Sequence, residues 1–289
     1  MILKDGVRVN ELDRAFTNKV VLVTGAARGQ GRAHATRLAK LGARIIALDF
    51  CKSIATVPYP LATRDDLLET ARQVRAEGAE VICVEADVRD FSAVEAGVHR
   101  GLKEFGRLDI VVANAGINGA FRQVEEVEEQ AWNDVLDVNL KGVWHTCKAA
   151  IPTMKSQHEG GSIVLISSVA GFKGLENEAA YVASKHGIVG LMRTLARELA
   201  PHWIRVNSVH PTTVLTDMVC NEALYRLFRP DLENPTMNDA RQLMLESHCL
   251  PTPWVECDDV TEAVVFLASD RARYITGVTL PVDAGAMLK

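Results

Sequence analysis

Val20-Val21-Leu22-Val23-Thr24-Gly25-Ala26-Ala27-Arg28-Gly29-Gln30-Gly31 is the stretch whose reading decides the fold. Val20 to Thr24 form a continuously apolar, β-branched run, the pattern of a strand buried on both faces of a parallel sheet. A glycine turn follows and opens onto the helical pattern of residues 31–41. Glycines let the backbone approach a pyrophosphate, and a helix N-terminus offers free N–H groups and a positive dipole. A glycine cluster alone is often an ordinary turn. Here it stands between strand and helix, and Asp49 ends the next strand pattern 20 residues beyond Gly29, which together mark a dinucleotide site. The spacing Gly-x-x-x-Gly-x-Gly differs from the usual Gly-x-Gly-x-x-Gly, and the Lys-Ser/Thr ending of a P-loop is missing.

The same alternation continues outward. Strand patterns at 20–24, 44–49, 80–84, 108–113, 162–166, 204–209 and 278–281 are separated by helical patterns at 31–41, 64–77, 91–104, 130–157 and 179–200. Apolar strands joined by helices predict a parallel seven-stranded sheet covered on both faces. Right-handed crossovers make this a single-domain, doubly wound α/β Rossmann fold with its site at the carboxyl ends of the strands. The domain is expected over 18–289, after a leader at 1–17. Two stretches are longer than ordinary connections: 51–63, with Pro58-Tyr59-Pro60, and about 217–257, which reads as a substrate lid.

Bulk properties narrow the class. Of 289 residues, 48% are apolar and 24% charged, ordinary for a globular chain. A net charge of -5 without a dense Lys/Arg block argues against a nucleic-acid partner. No apolar run approaches the ~18 residues of a membrane span, and Met1 to Gly6 lack a signal core, so a cytoplasmic location is expected. The six cysteines (51, 83, 147, 220, 249, 257) are scattered without a Cys-x-x-Cys pair, so no metal site is expected.

The nucleotide end is assembled from strand termini. Gly25, Ala27, Arg28, Gly29, Gln30 and Gly31 form the turn, and Asp49 with Phe50 closes the second strand. Asp49 is placed to accept hydrogen bonds from the adenosine ribose. A 2′-phosphate there would meet like charge at about 4 kcal/mol per pair, for ~4 Å and an effective dielectric of ~20. Arg28 pulls the other way, but Asp49 occupies the ribose position directly, so NAD is expected rather than NADP. Asp87-Val88 follows the third strand, where a carboxylate can meet the adenine amino group. Asn114-Ala115-Gly116 follows the fourth, where small side chains leave room for the ribose.

Tyr181 and Lys185 are four apart, hence on one helix face, where an ammonium favours an ionised phenol. Ser168 closes the fifth strand, and Asn139 lies within a helical pattern. As a set, Asn139, Ser168, Tyr181 and Lys185 resemble the tetrad of the short-chain dehydrogenase/reductase family. The resemblance covers about residues 18–285 and includes Thr24-Gly-x-x-x-Gly-x-Gly31, Asn114-Ala-Gly116 and Pro211-x-x-Val214-x-Thr216. It implies that Tyr181 exchanges the substrate hydroxyl proton and Ser168 holds the substrate oxygen. Lys185 also binds the nicotinamide ribose, and Asn139 supports a proton-relaying water chain. Pro211, Val214 and Thr216 lie in the loop that orients the nicotinamide. The family also implies a homotetramer paired through the helices around 130–157 and 179–200.

A closer resemblance, carried by Thr24–Gly31, Pro58-Tyr-Pro-Leu-Ala-Thr63, residues 225–235 and residues 274–285, is to the mycofactocin-coupled subgroup. Its carveol dehydrogenases oxidise secondary terpene alcohols. It implies tightly retained NAD, reoxidised in place by a separate redox partner, with the 51–63 insertion as the lock. Thr213 and Leu215 depart from the subgroup's usual glycine and asparagine near the substrate. The expected reaction interconverts an apolar, cyclic secondary alcohol and its ketone, with Phe121, Trp144, Phe172, Leu175 and Met218 as pocket candidates. Alternatives are a hydroxysteroid or 3-oxoacyl-type ketoreductase, whose NADPH form Asp49 disfavours, and a non-catalytic NAD-binding regulator, which has no need of Tyr181.

Overall fold

The computed structural model describes residues 15–119 and 121–289. The strands are β1 (Val20–Thr24), β2 (Arg44–Asp49), β3 (Val81–Glu85), β4 (Ile110–Ala113), β5 (Gly161–Ile166), β6 (Ile204–Pro211) and β7 (Thr279–Val282). They form one seven-stranded sheet in the order β3-β2-β1-β4-β5-β6-β7, every pair parallel. The doubly wound expectation therefore holds.

Period-two alternation sends neighbouring strand residues into opposite cores. Val20, Leu22, Ile46, Leu48, Val111 and Leu165 face one core, and Val21, Val23, Ile45, Ala47, Val112 and Val164 the other. The first is covered by α3 (Phe91–Phe105), α5 (Gly142–Ser156) and α6 (Ala179–Leu199). The second is covered by α1 (Gly29–Lys40), α2 (Arg64–Ala76) and α9 (Cys257–Ala268). Each fully buried Val, Leu or Ile contributes about 1.5–3 kcal/mol. Both faces need apolar side chains, which is why the strands read as unbroken apolar runs.

Of the expected leader, residues 1–14 lie outside the described residues. Phe16 is core, 1% exposed, and its N–H donates to the Leu41 carbonyl at 3.0 Å. Packing of the domain has thus begun two residues before the expected boundary at 18. A second difference lies in the helix expected at 130–157. It is α4 (Glu129–Leu136) and α5 joined through a π-helical turn, Asp137–Lys141, which carries Asn139. Such turns insert one residue and re-aim the side chains they hold.

The segment at 217–257 contains α7 (Glu222–Phe228) and α8 (Met237–Glu246). Val219, Leu224, Ala240 and Met244 form a small core of their own, with Tyr225, Leu227, Phe228, Met237 and Trp254 packed on it. Its base is stitched shut where Leu215 N–H donates to Val255 O and Val255 N–H donates to Thr213 O, at 3.1 and 3.0 Å.

His34 links α1 to α9 through Nδ1 and the Thr261 hydroxyl, 2.7 Å apart, while its Nε2 is buried without a partner among the described residues. Burial lowers its pKa from 6.5 to about 3. Below about pH 6.5 the unfolded ring takes a proton that the folded ring refuses, so stability falls as pH falls. Between about pH 7 and about pH 5 this ring alone removes about 2 kcal/mol. His34→Gln should flatten the urea-unfolding pH profile by that amount, and an unchanged slope would show that the ring titrates alike in the folded and unfolded states.

Candidate active site

The turn after β1 is shaped by close approach. Gly25 has φ of +65°, and a Cβ on Gly31 would lie 1.9 Å from the Gly25 carbonyl oxygen. Only glycine lets α1 start flush against the turn. Arg28 stands before α1 without a capping side-chain hydrogen bond, and the first helical turn holds no acidic residue. Its N–H groups are left for an anion in the crevice. Asp49 lies across from them, its Oδ2 accepting from the Ala27 N–H at 2.9 Å and its Oδ1 from the Cys51 N–H at 3.3 Å. Burial pushes the Asp49 pKa up, while those N–H donors and the Arg28 charge pull against it.

Arg28 is already engaged. Its guanidinium donates to Asp217 Oδ2 at 2.8 Å and to the Pro60 carbonyl at 2.5 Å. It therefore straps the 51–63 insertion to the 217–257 segment above the crevice, and its charge is matched by Asp217. The insertion is also pinned where the Thr56 hydroxyl donates to Asp134 Oδ2 at 2.8 Å.

The other expected nucleotide residues occupy the same crevice. Gly25, Arg28, Gly29, Gln30, Gly31, Asp49, Phe50, Asp87, Val88, Asn114, Ala115, Gly116, Tyr181, Lys185 and Thr216 all line it. Ala27 does not; it is fully buried behind the turn. Asp87 is held by the Arg89 guanidinium, with Nη2 and Nε at 2.8 and 2.9 Å from Oδ2. The Asn114 amide donates to the carbonyls of Thr24 and Gly25 at 3.0 and 3.3 Å, so its side chain ties β4 to β1. The site fits a dinucleotide: uncapped N–H groups for a pyrophosphate, a carboxylate for a ribose, and a Gln30 Oε1 that is buried without a partner among the described residues.

The crevice opens into a second cavity of about 370 Å³ lined by Ser168, Tyr181, Pro211, Val214 and Thr216. Tyr181 and Lys185 stand one turn apart on α6, the Lys185 Nζ 5.4 Å from the phenol ring centre. Lys185 Nζ donates to the Ile166 carbonyl at 3.0 Å. Asn139 faces neither cavity. It clasps Ile117, accepting its N–H and donating to its carbonyl, both at 2.8 Å. Gly116 packs beside both groups: a Cβ there would lie 3.5 Å from Asn139 Oδ1 and from Lys185 Nζ, an ordinary contact distance.

Enclosure acts on Tyr181 against the expected effect of Lys185. Burial raises its pKa, the Glu178 charge adds to that, and a hydrogen bond with Ser168 opposes it. Burial also lowers Lys185 to about 8. The ammonium is directed at the Ile166 carbonyl, and enclosing two titratable groups costs each its charged form.

Among the pocket candidates, Leu175 and Met218 line the cavity. Trp144 is 42% exposed on α5, Phe172 stacks on His210 with ring centres 4.2 Å apart, and Phe121 lines a neighbouring cavity. These three aromatic placements are corrected: apolar character alone does not say which surface a side chain covers. Sequence reasoning missed His210, whose Nδ1 is 2.8 Å from the Ser168 carbonyl and whose Nε2 is 2.8 Å from the Ser208 hydroxyl. Burial holds it down to about 4, hence neutral. It also missed Tyr59, Asn118 and Glu178; no local pattern marks them, because three separate segments bring them together.

Residues 19–224 match the short chain dehydrogenase family. The chain belongs to that family. It is 51% identical to the (-)-trans-carveol dehydrogenase of Rhodococcus erythropolis, over 94% of this chain and 98% of that one. The crystal structure of carveol dehydrogenase from Mycobacterium avium in complex with NAD superposes with a TM-score of 0.93 at 52% identity, covering 94% and 99% of the two chains. The trans-4-hydroxycyclohexanecarboxylate dehydrogenase of Sinomonas cyclohexanicum is 36% identical over 92% of each. This short-chain dehydrogenase is an NAD-dependent oxidoreductase. With Arg28 matched by Asp217, Asp49 is the charge a 2′-phosphate would meet. Asp49→Ala should narrow the NAD-over-NADP preference in equilibrium binding by at least about tenfold, and an unchanged ratio would remove Asp49 as its source.

Proposed function

We propose that this enzyme interconverts an apolar, cyclic, terpenoid-like secondary alcohol and its ketone, with Tyr181 as general acid/base. The observation that carries the reading is that Tyr181 lines both the nucleotide crevice and the second cavity, with Ser168 beside it in the latter. A hydroxyl resting there can exchange its proton with the phenol while Ser168 holds the same oxygen. Bound NAD supplies the hydride acceptor. Pro211, Val214 and Thr216 frame the place for its nicotinamide, and Lys185 the place for the adjoining ribose.

Proton traffic sets the demand on α6. Burial opposes phenolate, so Tyr181 works as a base only when positive charge is close. Lys185, held near 8, retains its charge at neutral pH but is partly neutral above that. Asn139, clasping Ile117 and receiving no substrate itself, keeps the π turn open toward Ser184 and Lys185. Its role is to steady the relay that returns the proton to solvent.

Leu175, Met218, Val219, Leu224, Leu227 and Phe228 form an apolar wall, which favours a hydrocarbon ring. The carveol dehydrogenase relatives and the hydroxycyclohexanecarboxylate relative act, by their names, on ring alcohols. The 217–257 segment, with its own small core, serves as the lid of a single domain over 18–289. Retention of NAD is the further reading. The Arg28 strap joins insertion and lid across the crevice, as a mycofactocin-coupled enzyme with an external redox partner requires. A cytoplasmic homotetramer completes the assignment. No described helix is long and apolar enough to cross a membrane, and half-exposed Trp144 on α5 offers an apolar contact for a neighbouring subunit.

Tyr181→Phe should keep NAD binding and lose turnover by ~10²-fold or more, and near-normal rates would end the acid/base role. Purified protein should release NAD only on denaturation, read by absorbance and mass spectrometry. Arg28→Ala should release it to dialysis, whereas nucleotide-free wild type would refute the lock.

A further inference from the structure

The wall of the second cavity is not wholly apolar. Glu178 stands three residues before Tyr181, before the first turn of α6, and is only 9% exposed. The Asn118 side-chain amide donates to its Oε2 at 2.6 Å. Asn118 is held in turn, its backbone N–H donating to the Tyr59 hydroxyl at 3.1 Å. The insertion, the loop after β4 and the start of α6 thus converge to fix one carboxyl group. Its second oxygen has no hydrogen bond to the described residues.

Glu178 and Asn118 line the cavity together with Ser168 and Tyr181. Of the other charged residues on that wall, Lys173 donates to the Ala286 carbonyl at 2.8 Å and Glu176 is exposed. Glu178 is the enclosed charge facing the substrate space, and its field already reaches the Tyr181 phenol. The second oxygen of Glu178 is not closed off from solvent, so it can accept a hydrogen bond from a donor that arrives with the ligand. A neutral hydroxyl costs less to enclose among Leu175, Leu224 and Phe228 than an ammonium would.

We propose that Glu178, positioned by Asn118 and Tyr59, is a second polar subsite that binds a hydroxyl on the substrate ring other than the one oxidised at Tyr181. The physiological substrate class is then a ring diol or hydroxyketone rather than a mono-alcohol. This rests on the dehydrogenase reading above and narrows its substrate.

The test compares kcat/KM for cyclohexanol and the isomeric cyclohexanediols, with the NAD-loaded enzyme and an artificial electron acceptor that reoxidises bound NADH, in wild type, Glu178→Gln and Glu178→Ala. Because the variants are compared by how the diol-to-mono-alcohol ratio changes, differences in hydration of the alcohols cancel between them. Wild type should favour at least one diol by about tenfold, and Glu178→Ala should abolish that preference, mainly through KM. Glu178→Gln keeps a carbonyl acceptor and the bond from Asn118, so it should retain part of the preference. It also serves if the alanine variant fails to fold. A ratio near one in wild type, or a ratio unmoved in the variants that fold, overturns the subsite while leaving the dehydrogenase. No oxidation of any ring alcohol by NAD-loaded wild type overturns the substrate reading itself, and the subsite with it.

Discussion

The junction between β1 and β4 is the constraint on which the site depends. At this point the sheet order reverses, with β2 leaving β1 on one side and β4 on the other. Divergent crossovers open a crevice there, and only close backbone packing keeps it from collapsing. Gly31 presses on the Gly25 carbonyl, and Asn114 donates to the Thr24 and Gly25 carbonyls from the opposite strand. The uncapped start of α1, the Asp49 carboxylate and the loop through Gly116 take their positions from that contact. Gly116 in turn packs against both Asn139 and Lys185.

Burial then decides the electrostatics. Pairing Tyr181 with Lys185 by spacing suggests a phenol made acidic by its neighbour. Inside the protein both groups lose water, and desolvation outweighs a charge directed at the Ile166 carbonyl. Tyr181 is held in its neutral form, while Lys185, lowered only to about 8, keeps most of its charge at neutral pH. His210, neutral between the Ser168 carbonyl and Ser208, adds no charge of its own and fixes the strand end that carries the serine.

What was legible in the sequence follows from which forces are local. Strand β1 and its glycine turn were readable because β-branched runs and backbone steric limits act over a few residues. The crevice lining followed from strand ends, since parallel topology collects them on one edge. Asn139 was identified without its setting: a π turn depends on how α4 and α5 pack, not on a residue pattern. Trp144 and Phe172 were misplaced because apolarity predicts burial but not against what. Glu178 was invisible for a related reason. A glutamate near a helix start is ordinarily solvated, and only the meeting of Tyr59, Asn118 and α6 encloses this one.

The two long connections are best understood through Arg28. An arginine in the nucleotide turn would by itself attract phosphate, the opposite of what Asp49 requires. Matched to Asp217 and bonded to the Pro60 carbonyl, it becomes a bridge between the segment beside the nucleotide and the segment over the substrate. Tyr59, next to that bonded carbonyl, reaches toward the Asn118 that steadies Glu178. The same insertion thus borders the nucleotide crevice and, through the Tyr59–Asn118 bond, supports a residue that lines the substrate cavity. Closing over one ligand and shaping the pocket for the other are consequences of a single piece of chain, so a change that loosens the nucleotide strap also shifts the wall that selects the alcohol.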